Sequence, residues 1–340
     1  MPIVDEPKMN DREPNLYGVQ SYGDMIADSV RVARYREALA QTVTPGCRVL
    51  DLGAGAGLFS LIAARLGAGH VFAVEPGEVI QVGREIARAN GLDGQISFLQ
   101  KRGADVTLDE PVDVLVSDVR GILPLFRGAI AAIRDARDRL LAPDGVMLPL
   151  RDHIYAGIVE APDLHARIVA PWSSGVDGID MGAGRELAVN EWSRARFGAD
   201  QLISEVQRWT TLDYPTVAGP NVSGVMRLPV TREATAHGMA VWFDTELTED
   251  VGFSNAPGEP ELVYSNTFFP WPTGLRVAAG DVVEVDLKAN LVGSHHLWRW
   301  ETRVFDGGSH TERHPLWRQS TFHGVPLSLA TLHAVDRERR

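Results

Sequence analysis

The stretch VLDLGAGAGLFS constrains this chain more than any other feature, because it joins an apolar strand to a helix through a glycine-rich turn. The glycines are Gly53, Gly55 and Gly57. Glycine at such a turn lets the backbone approach a ligand closely, where Cβ atoms would obstruct it. Up to residue 150, further apolar strands alternate with helices, beginning with the strand HVFAVE and the helix VIQVGREIARAN and ending with the helix LFRGAIAAIRDARDRLL, from Leu125, and the strand GVMLPL. This alternation predicts a doubly wound, Rossmann-like parallel sheet of the α/β class.

The spacing of the glycines and the acids around them distinguish between ligands. A dinucleotide fingerprint needs G-x-G-x-x-G to seat a pyrophosphate on the helix N-terminus, whereas here the third glycine comes one residue early. Asp51 precedes the glycines and would repel a phosphate, but it would attract a sulfonium or an amino group. Glu75 closes the next strand, where an acceptor for two ribose hydroxyls is needed. S-adenosylmethionine is therefore the predicted ligand, with NAD and a purely structural turn as alternatives.

The pattern changes after residue 150, where short strand-like segments are separated by clusters of Gly, Pro and Asn. Examples are HIYAGIVE, MAVWFDTEL, DVVEVDLKANL and LWRWETRVF. They predict a β barrel or sandwich. Ahead of the glycine turn, apolar residues at helical spacing predict one amphipathic helix from about 22 to 42. The polar, Pro-rich stretch before it predicts a flexible leader over 1–20.

Charge and cysteine content argue against several classes of protein. Lys and Arg total 33 against 45 Asp and Glu, a formal charge of −12, which disfavours nucleic acid as a partner. Cys47 is the only cysteine, so it cannot form an internal disulfide, and we expect inert packing in a reducing compartment. The sequence has no run of about 18 apolar residues and no signal-like N-terminus, which predicts a cytoplasmic protein without membrane contact.

A group of aromatic and imidazole side chains near the end of the chain allows two interpretations. His295 and His296 precede Trp298 and Trp300, a combination that suggests either a metal site or barrel packing. No nearby third ligand has metal-type spacing, so packing is the predicted role and no metal is expected.

Three further stretches resemble the protein arginine methyltransferase family, and the resemblance covers the chain from about Ser21 to His296. MIADSVRVARYREAL looks like the helix that covers the cofactor, GIDMG is similar to the Gly-Phe-Asp-Met-Ser element of the dimerisation arm, and GFSNAPGEP matches the segment before the barrel signature. The resemblance implies a class I methyltransferase domain at 21–150 and a C-terminal β-barrel domain at 151–340. It also implies an inserted dimerisation arm at about 162–192.

The same resemblance implies a cofactor, S-adenosyl-L-methionine, with S-adenosyl-L-homocysteine as the product. Arg31 matches the arginine that pairs with the cofactor's carboxylate. Gly103 and Ala104 match the adenine edge, where family members often carry a glutamate. Ala104 cannot supply that carboxylate, so adenine recognition is left to backbone or to Asp105. With Asp51, Glu75 and the three glycines, these residues form the predicted cofactor site.

The resemblance further implies a head-to-tail homodimer, formed through the arm around Trp172–Met181. In such a dimer the arm of one subunit docks on the cofactor domain of the other. The alternative is that Trp172, Ile179 and Met181 pack within their own chain.

The stretch SDVRGILPLFRG, from Ser117 to Gly128, resembles the family's substrate loop, in which Ser-Glu-x-x-Gly is followed by a second glutamate. In that family the two glutamates grip a guanidinium. Here the first position is Asp118, and the second, nine residues later, is Arg127, which reverses the charge. The family's Thr-His-Trp signature is likewise replaced, here by Leu262, Val263 and Tyr264. We expect Asp118 and Arg127 to be catalytic and acceptor-binding residues, with Tyr22 and Tyr264 as further acceptor contacts.

The charge reversal changes the expected acceptor. A guanidinium between Asp118 and Arg127 would meet one attractive and one repulsive partner, at a cost on the order of several kcal/mol in a partly dry site. Arg127 suits a carboxylate or phosphate, or an amino acid whose amine sits on Asp118, which is also a candidate general base. The chain is thus predicted to methylate a small molecule or peptide group other than a typical protein arginine.

Three alternatives remain open from the sequence. The first is a genuine protein arginine methyltransferase with a degenerate substrate loop. The second is a scaffold that keeps the fold without methyl transfer. The third concerns Arg127 alone, which can instead belong to a solvated helix face with Arg134 and Asp135.

Overall fold

The computed structural model describes residues 17–324, so most of the predicted leader lies outside the described residues. The chain divides into two compact units. The first unit comprises Met1–Asp118 and Asp135–Leu148, and the second comprises Val119–Arg134 and Pro149–Arg340. This division differs from the predicted domains in one respect, because the segment 119–134 groups with the second unit.

The first unit is built on a five-stranded parallel sheet in the order β3-β2-β1-β4-β5. Its strands are β1 (Arg48–Leu52), β2 (His70–Val74), β3 (Ile96–Leu99), β4 (Val112–Ser117) and β5 (Leu141–Leu148). Its helices are α1 (Val19–Ala27), α2 (Ser29–Thr42), α3 (Leu58–Arg65) and α4 (Ile80–Ala89), with a 3₁₀ turn at Gly103–Asp105. The central strands β1 and β4 are mostly buried, with Val or Leu at most of their positions, as in a sheet covered on both faces. The predicted doubly wound sheet is confirmed.

The prediction of a single helix from about 22 to 42 is wrong, because the chain forms two helices, α1 and α2, with a break at Asp28. The Asp28 carboxylate accepts a hydrogen bond of 3.0 Å from the backbone N–H of Arg31 and so caps the start of α2. An aspartate that satisfies an otherwise unpaired N–H at a helix start favours a new helix over a continued one.

Helix α5 (Ala129–Leu140) begins four residues later than the sequence predicted, since the expected helix ran from Leu125. Arg127 lies before it with a φ of 46°, in the left-handed region that a residue within a right-handed helix cannot adopt. The interpretation of Arg127 as part of a solvated helix face is therefore wrong.

The second unit consists mainly of two antiparallel sheets. One has the order β7-β12-β10-β6-β8 with β11 paired to β10, and the other has the order β15-β14-β13-β9. The strands are β6 (Arg151–Val159), β7 (Ser193–Ala195), β8 (Gln207–Asp213), β9 (Val222–Pro229), β10 (Ala234–Glu246), β11 (Gly252–Ser254), β12 (Asn266–Val277), β13 (Val282–Val292), β14 (His295–Phe305) and β15 (Glu312–Ser320). The helical segments are α6 (Pro162–Ser173), α7 (Ala183–Ala188), α8 (Thr321–Gly324) and a 3₁₀ turn at Ala199–Gln201.

Aromatic side chains from both antiparallel sheets form a core between them. The ring of Phe269, on β12, lies 5.4 Å from that of Trp298 and 5.1 Å from that of Trp300, both on β14. Trp209, on β8, lies 5.8 Å from Trp298 and donates its indole N–H to the carbonyl of Leu287 at 3.2 Å. The packing role predicted for Trp298 and Trp300 is confirmed by their burial, 3% and 1% exposed.

The segment predicted as a dimerisation arm contains α6, an antiparallel bridge between Val176 and Ile179, and α7. Trp172 packs against Gly184 of its own chain, as the alternative interpretation expected. Ile179 and Val176 are 62% and 58% exposed, an apolar surface of the kind found at protein interfaces. The homodimer itself stays a prediction, which sedimentation of the purified protein would test, since a monomer would contradict it.

Within residues 17–324, no helix is long and apolar enough to cross a membrane. Over the same range, no group of three or more His, Cys, Asp or Glu side chains is arranged to hold a metal ion. Cys47 is a free, buried thiol, 7% exposed.

Candidate active site

The carboxyl edge of the parallel sheet gathers most of the predicted cofactor residues. Strand β1 leads into the glycine turn, β2 into Glu75, and β4 into Asp118. Because parallel strands end at one edge of the sheet, the three segments lie side by side, in the place where open α/β sheets bind ligands.

The glycine turn has the backbone that its sequence predicted. Gly53, Gly55 and Gly57 have φ angles of 77°, 53° and 78°, a left-handed conformation that other residues adopt only with strain. A Cβ added to Gly55 would stand 2.7 Å from Cε1 of Tyr22. The Tyr22 ring from α1 therefore lies directly on this turn, and there is no space between them for a larger residue.

Tyr22, which was predicted to contact the acceptor, is thus placed beside the cofactor turn of the first unit. Burial, with smaller contributions from the charge of Glu75 and from Tyr17, raises the pKa of Tyr22 above its ordinary value. Its hydroxyl consequently stays protonated in the physiological range and is available as a hydrogen-bond donor. The predicted contact with the acceptor stays a prediction.

Glu75 connects the glycine turn to the following segment. Its Oε2 accepts a hydrogen bond of 3.2 Å from Gly55 N–H, and its Oε1 accepts one of 2.7 Å from Gly77 N–H. A carboxylate oxygen accepts more than one hydrogen bond, so both oxygens keep capacity for two neighbouring hydroxyls. This is the chemistry that a ribose requires.

Asp51 is buried beneath the turn, 2% exposed. Its Oδ2 accepts from the backbone N–H of Ser60 at 3.0 Å and from the Ser60 hydroxyl at 2.6 Å. Burial, with smaller contributions from the charges of Asp118 and Glu75, nevertheless raises the pKa of Asp51 from 3.8 to about 7. A cationic ligand would relieve this cost, so the acidic group fits a sulfonium or ammonium and disfavours a phosphate.

This burial predicts a pH-dependent affinity for S-adenosylmethionine. A cation stabilises ionised Asp51, so binding lowers the pKa from about 7 and releases a proton. Affinity should therefore rise with pH from 6 to about 7 and level off above it, by up to about tenfold per pH unit below the midpoint. Calorimetric titration across this range measures the effect. Asp51→Asn is the control, and an equally steep rise in that variant would assign the titration to another group.

Asp118 and Arg31 form a buried ion pair within the first unit. Nη1 of Arg31 lies 2.5 Å from Oδ2 of Asp118, and their side chains are 5% and 14% exposed. Nη2 of Arg31 donates to the carbonyl of Met25 at 2.7 Å, and the guanidinium stacks on Phe59 at 5.2 Å. The residue predicted to hold the cofactor's carboxylate is thus in direct contact with the residue predicted to hold the acceptor.

Tyr35 is a third member of this group, and it was not predicted from the sequence. Its hydroxyl lies 3.0 Å from Asp118 Oδ1, and the side chain is fully buried. Tyr35 follows Arg31 by four residues on α2, so the two side chains share one helix face. This four-residue spacing is the sequence signal that could have identified Tyr35 as a partner of the same site.

The predicted adenine edge forms the 3₁₀ turn Gly103–Asp105. A Cβ on Gly103 would stand 2.8 Å from Cδ1 of Leu52, which places the turn beside the end of β1. Arg139 donates to the Gly103 carbonyl at 3.0 Å and holds the turn in place. Ala104 and Asp105 are exposed, so their contact with adenine stays a prediction.

The remaining predicted residues belong to the second unit. The Arg127 guanidinium lies 5.6 Å from the centre of the Phe126 ring. Tyr264 is 6% exposed and stacks with Phe253 at 6.0 Å, next to Phe243. Its predicted acceptor contact stays a prediction, because the ring is engaged in this aromatic cluster.

Known families match both halves of the chain. Residues 36–148 match the family of ribosomal protein L11 methyltransferase, and residues 151–297 match the arginine methyltransferase oligomerization subdomain.

Among individual relatives, a probable protein arginine N-methyltransferase 6 of Arabidopsis thaliana is 31% identical over 234 residues. That alignment covers 66% of this chain and only 54% of the plant protein. An arginine N(omega)-methyltransferase of Streptomyces achromogenes subsp. streptozoticus is 27% identical over 77% of this chain and 74% of its own length.

A solved structure has the same fold. It is the PRMT1 enzyme–prozyme heterotetramer of Trypanosoma brucei with AdoHcy, with a TM-score of 0.81 and 24% identity. It covers 89% of this chain and 98% of its own. The α/β fold with a second, antiparallel domain is confirmed, and the two family matches meet near residue 149, where the last segment of the second unit begins. Over both of its halves, the chain is thus similar to the protein arginine methyltransferases, a family of class I S-adenosylmethionine-dependent methyltransferases.

Proposed function

We propose that this protein transfers a methyl group from S-adenosylmethionine to a small molecule or peptide group other than a typical protein arginine. The observation that carries the proposal is Arg127, a cation at the loop position where the family's second glutamate is expected. Its backbone is left-handed and its guanidinium stacks on Phe126, so the residue has a defined conformation rather than a place on a solvated helix.

The residues of the first unit suit the cofactor in their chemistry. Glu75 would accept hydrogen bonds from the ribose, Arg31 would pair with the carboxylate, and Asp51 would lie under the positive charge. When bound, the cofactor supplies a methyl group activated by its sulfonium, which a nitrogen or oxygen nucleophile attacks. The glycine turn and Tyr22 would surround the cofactor and exclude water from it.

Asp118 and Arg127 are proposed to bind the acceptor through opposite charges. Asp118 would accept a hydrogen bond from the amine or hydroxyl that becomes methylated, while Arg31 and Tyr35 fix its carboxylate in one orientation. Arg127 would attract a carboxylate or phosphate of the same molecule. Orientation of the nucleophile is a large part of what an enzyme contributes to methyl transfer.

A second candidate is methylation of an arginine guanidinium, and the names of the relatives favour it. The plant relative is named as a protein arginine methyltransferase, whereas the Streptomyces relative is named as an arginine N(omega)-methyltransferase. Free arginine carries a carboxylate that Arg127 would attract, so it is the guanidine acceptor most compatible with this loop.

The test is transfer of isotopically labelled methyl from S-adenosylmethionine, supplied with three acceptors in parallel: an extract of small molecules, free L-arginine, and an arginine-containing peptide. We expect label in the first or second pool. Label confined to peptide arginines would overturn the proposal. Label in no pool would favour the alternative of a scaffold that keeps the fold without methyl transfer.

The same assay should respond to Arg127→Glu, which restores an acid at the second position. We expect activity on the preferred acceptor to fall by about 100-fold, because the acceptor's anionic group would then face a carboxylate instead of the half-buried Arg127 guanidinium. Peptide guanidinium should gain at least about tenfold for the reverse reason. Arg134→Glu makes the same charge change on α5 and is the control. If guanidine acceptors gain nothing, the charge reversal does not explain the specificity.

A further inference from the structure

A buried ion pair in the second unit involves a residue of the substrate loop that the proposed chemistry does not use. Nε of Arg120 lies 2.9 Å from Oδ2 of Asp152, and the two side chains are 2% and 0% exposed. Removing two charges from water is costly, so a pair this deep is maintained only with good geometry and further hydrogen bonds.

Asp152 has those further hydrogen bonds. The Tyr214 hydroxyl donates to Oδ2 at 2.5 Å, and the Thr245 hydroxyl donates to Oδ1 at 2.7 Å. Asp152 lies on β6, Thr245 on β10, and Tyr214 directly after β8, all in one sheet. The carboxylate therefore has a single orientation, set by the sheet.

Two aromatic rings fix the other end of the pair. The Arg120 guanidinium carbon lies 5.9 Å from the centre of the Phe243 ring and 5.7 Å from that of Phe253. Tyr264 stacks on Phe253 with an angle of 2° between the ring planes. Arg120 thus joins the substrate loop to Tyr264, so the two segments that depart from the family pattern meet in one cluster.

A continuous series of contacts leads from Arg120 to Arg127. Gly121 has a φ of 64°, and a Cβ added to it would stand 2.5 Å from Cδ2 of Phe126. The Phe126 ring therefore lies against the backbone next to Arg120. The Arg127 guanidinium stacks on the same ring, with its carbon 5.6 Å from the ring centre.

We propose that Arg120 is a positioning residue, which holds the loop of residues 119–128 on the Asp152 carboxylate and thereby sets the location of the Arg127 guanidinium. The inference deepens the proposed function and rests on it, because Arg127 matters only if it selects the acceptor. The position of Arg127 itself is measurable without any acceptor. If Arg120 only stabilised the second unit, breaking its ion pair with Asp152 would loosen the loop no more than breaking another ion pair of that unit.

Two variants test the pair in different ways. Arg120→Lys keeps the charge but loses the planar guanidinium that reaches both the carboxylate and the rings. Asp152→Asn keeps the shape and removes the charge. The matched control is Asp281→Asn, which removes the charge from a second ion pair of the same unit, between buried Asp281, directly before β13, and Arg313 on β15. If Asp152→Asn fails to fold, Arg120→Lys still gives a result.

Hydrogen exchange of the amides in 119–128 and the rate at which phenylglyoxal modifies Arg127 are the readouts, both followed by mass spectrometry. We expect Arg120→Lys and Asp152→Asn to raise loop exchange by about tenfold or more, because a local opening replaces an ordered loop. Modification of Arg127 should accelerate with it. Asp281→Asn should change neither readout, whatever stability it loses.

Two results would overturn the proposal: an unchanged loop in Arg120→Lys, or an equal change in Asp281→Asn. Affinity for S-adenosylmethionine, measured by calorimetry on the same samples, distinguishes failure of the positioning role of Arg120 from failure of the proposed function. Wild-type protein that does not bind the cofactor would contradict the proposed function while leaving the loop measurement valid. Where an acceptor is labelled, kcat with that acceptor should fall by about 100-fold in Arg120→Lys, as expected for a misplaced binding group.

Discussion

Glu75→Ala should weaken binding of S-adenosylmethionine by about two to three orders of magnitude, since hydrogen bonds to a charged acceptor contribute about 1.5–3 kcal/mol each and a ribose offers two hydroxyls. The variant also loses the carboxylate that accepts from Gly55 N–H and Gly77 N–H, so the glycine turn loses its link to the segment after β2. Both effects act in the same direction. Calorimetric titration with the cofactor and with its demethylated product measures them.

Glu78→Ala is the matched control, because it removes an exposed glutamate from the same segment. It should change the affinity by less than about twofold, as expected for a single exposed charge. Equal affinity of the two variants would show that Glu75 is not the ribose acceptor. Loss of folding in Glu75→Ala, seen as a changed unfolding midpoint, would show that its role is confined to the turn.

The glycine turn and Glu75 were predictable from the sequence because what they require is local. Close approach of the backbone demands glycine at the turn itself, and the acid follows its own strand directly. No distant residue has to be known. The alternation of strands and helices is local in the same sense, which is why the parallel sheet was predicted correctly.

The break in the first helix was less accessible, although its cause is also local. Asp28 caps α2 through the backbone N–H of Arg31, but the apolar spacing runs through the break without interruption. Periodicity reports the buried face of a helix and does not report where hydrogen bonds end. The start of α5 was misplaced for a related reason, because no pattern of apolar residues reveals the left-handed backbone of Arg127.

The ion pairs were not predictable, because their partners are distant in sequence. Arg31 and Asp118 stand 87 residues apart, and Arg120 and Asp152 stand 32 apart. The sequence showed each charge, but it indicated a role for only two of them, Arg31 and Asp118, and the role of Arg31 rested on resemblance. It did not show that the cofactor's expected partner and the acceptor's expected partner contact each other.

That contact couples the two halves of the reaction. Arg31 is expected to pair with the cofactor's carboxylate, yet in this structure it also neutralises Asp118. A guanidinium has five N–H donors in a planar fork, so it can serve two carboxylates at once. Binding of the cofactor and the orientation of Asp118 are therefore expected to depend on each other.

Asp118→Ala is expected to slow methyl transfer strongly and to make stability more dependent on the cofactor. Removing one partner of a buried ion pair leaves the other charge uncompensated, at a cost of about 3–5 kcal/mol where burial is complete and less here, since Asp118 is 14% exposed. S-adenosylmethionine would bring a carboxylate to Arg31 and restore part of that energy. The variant should thus gain more stability from the cofactor than the wild type does, as measured by urea unfolding with and without it.

Tyr35→Phe is the control for this prediction, because it removes the hydrogen bond to Asp118 Oδ1 but leaves the Arg31–Asp118 pair intact. It should lose some stability without any added response to the cofactor. Methyl transfer by Asp118→Ala should fall by at least about 100-fold at saturating cofactor, because the acceptor loses its orienting group while the donor stays bound. If the cofactor stabilises Asp118→Ala and the wild type equally, Arg31 does not exchange one carboxylate for another, and its guanidinium supports Asp118 alone.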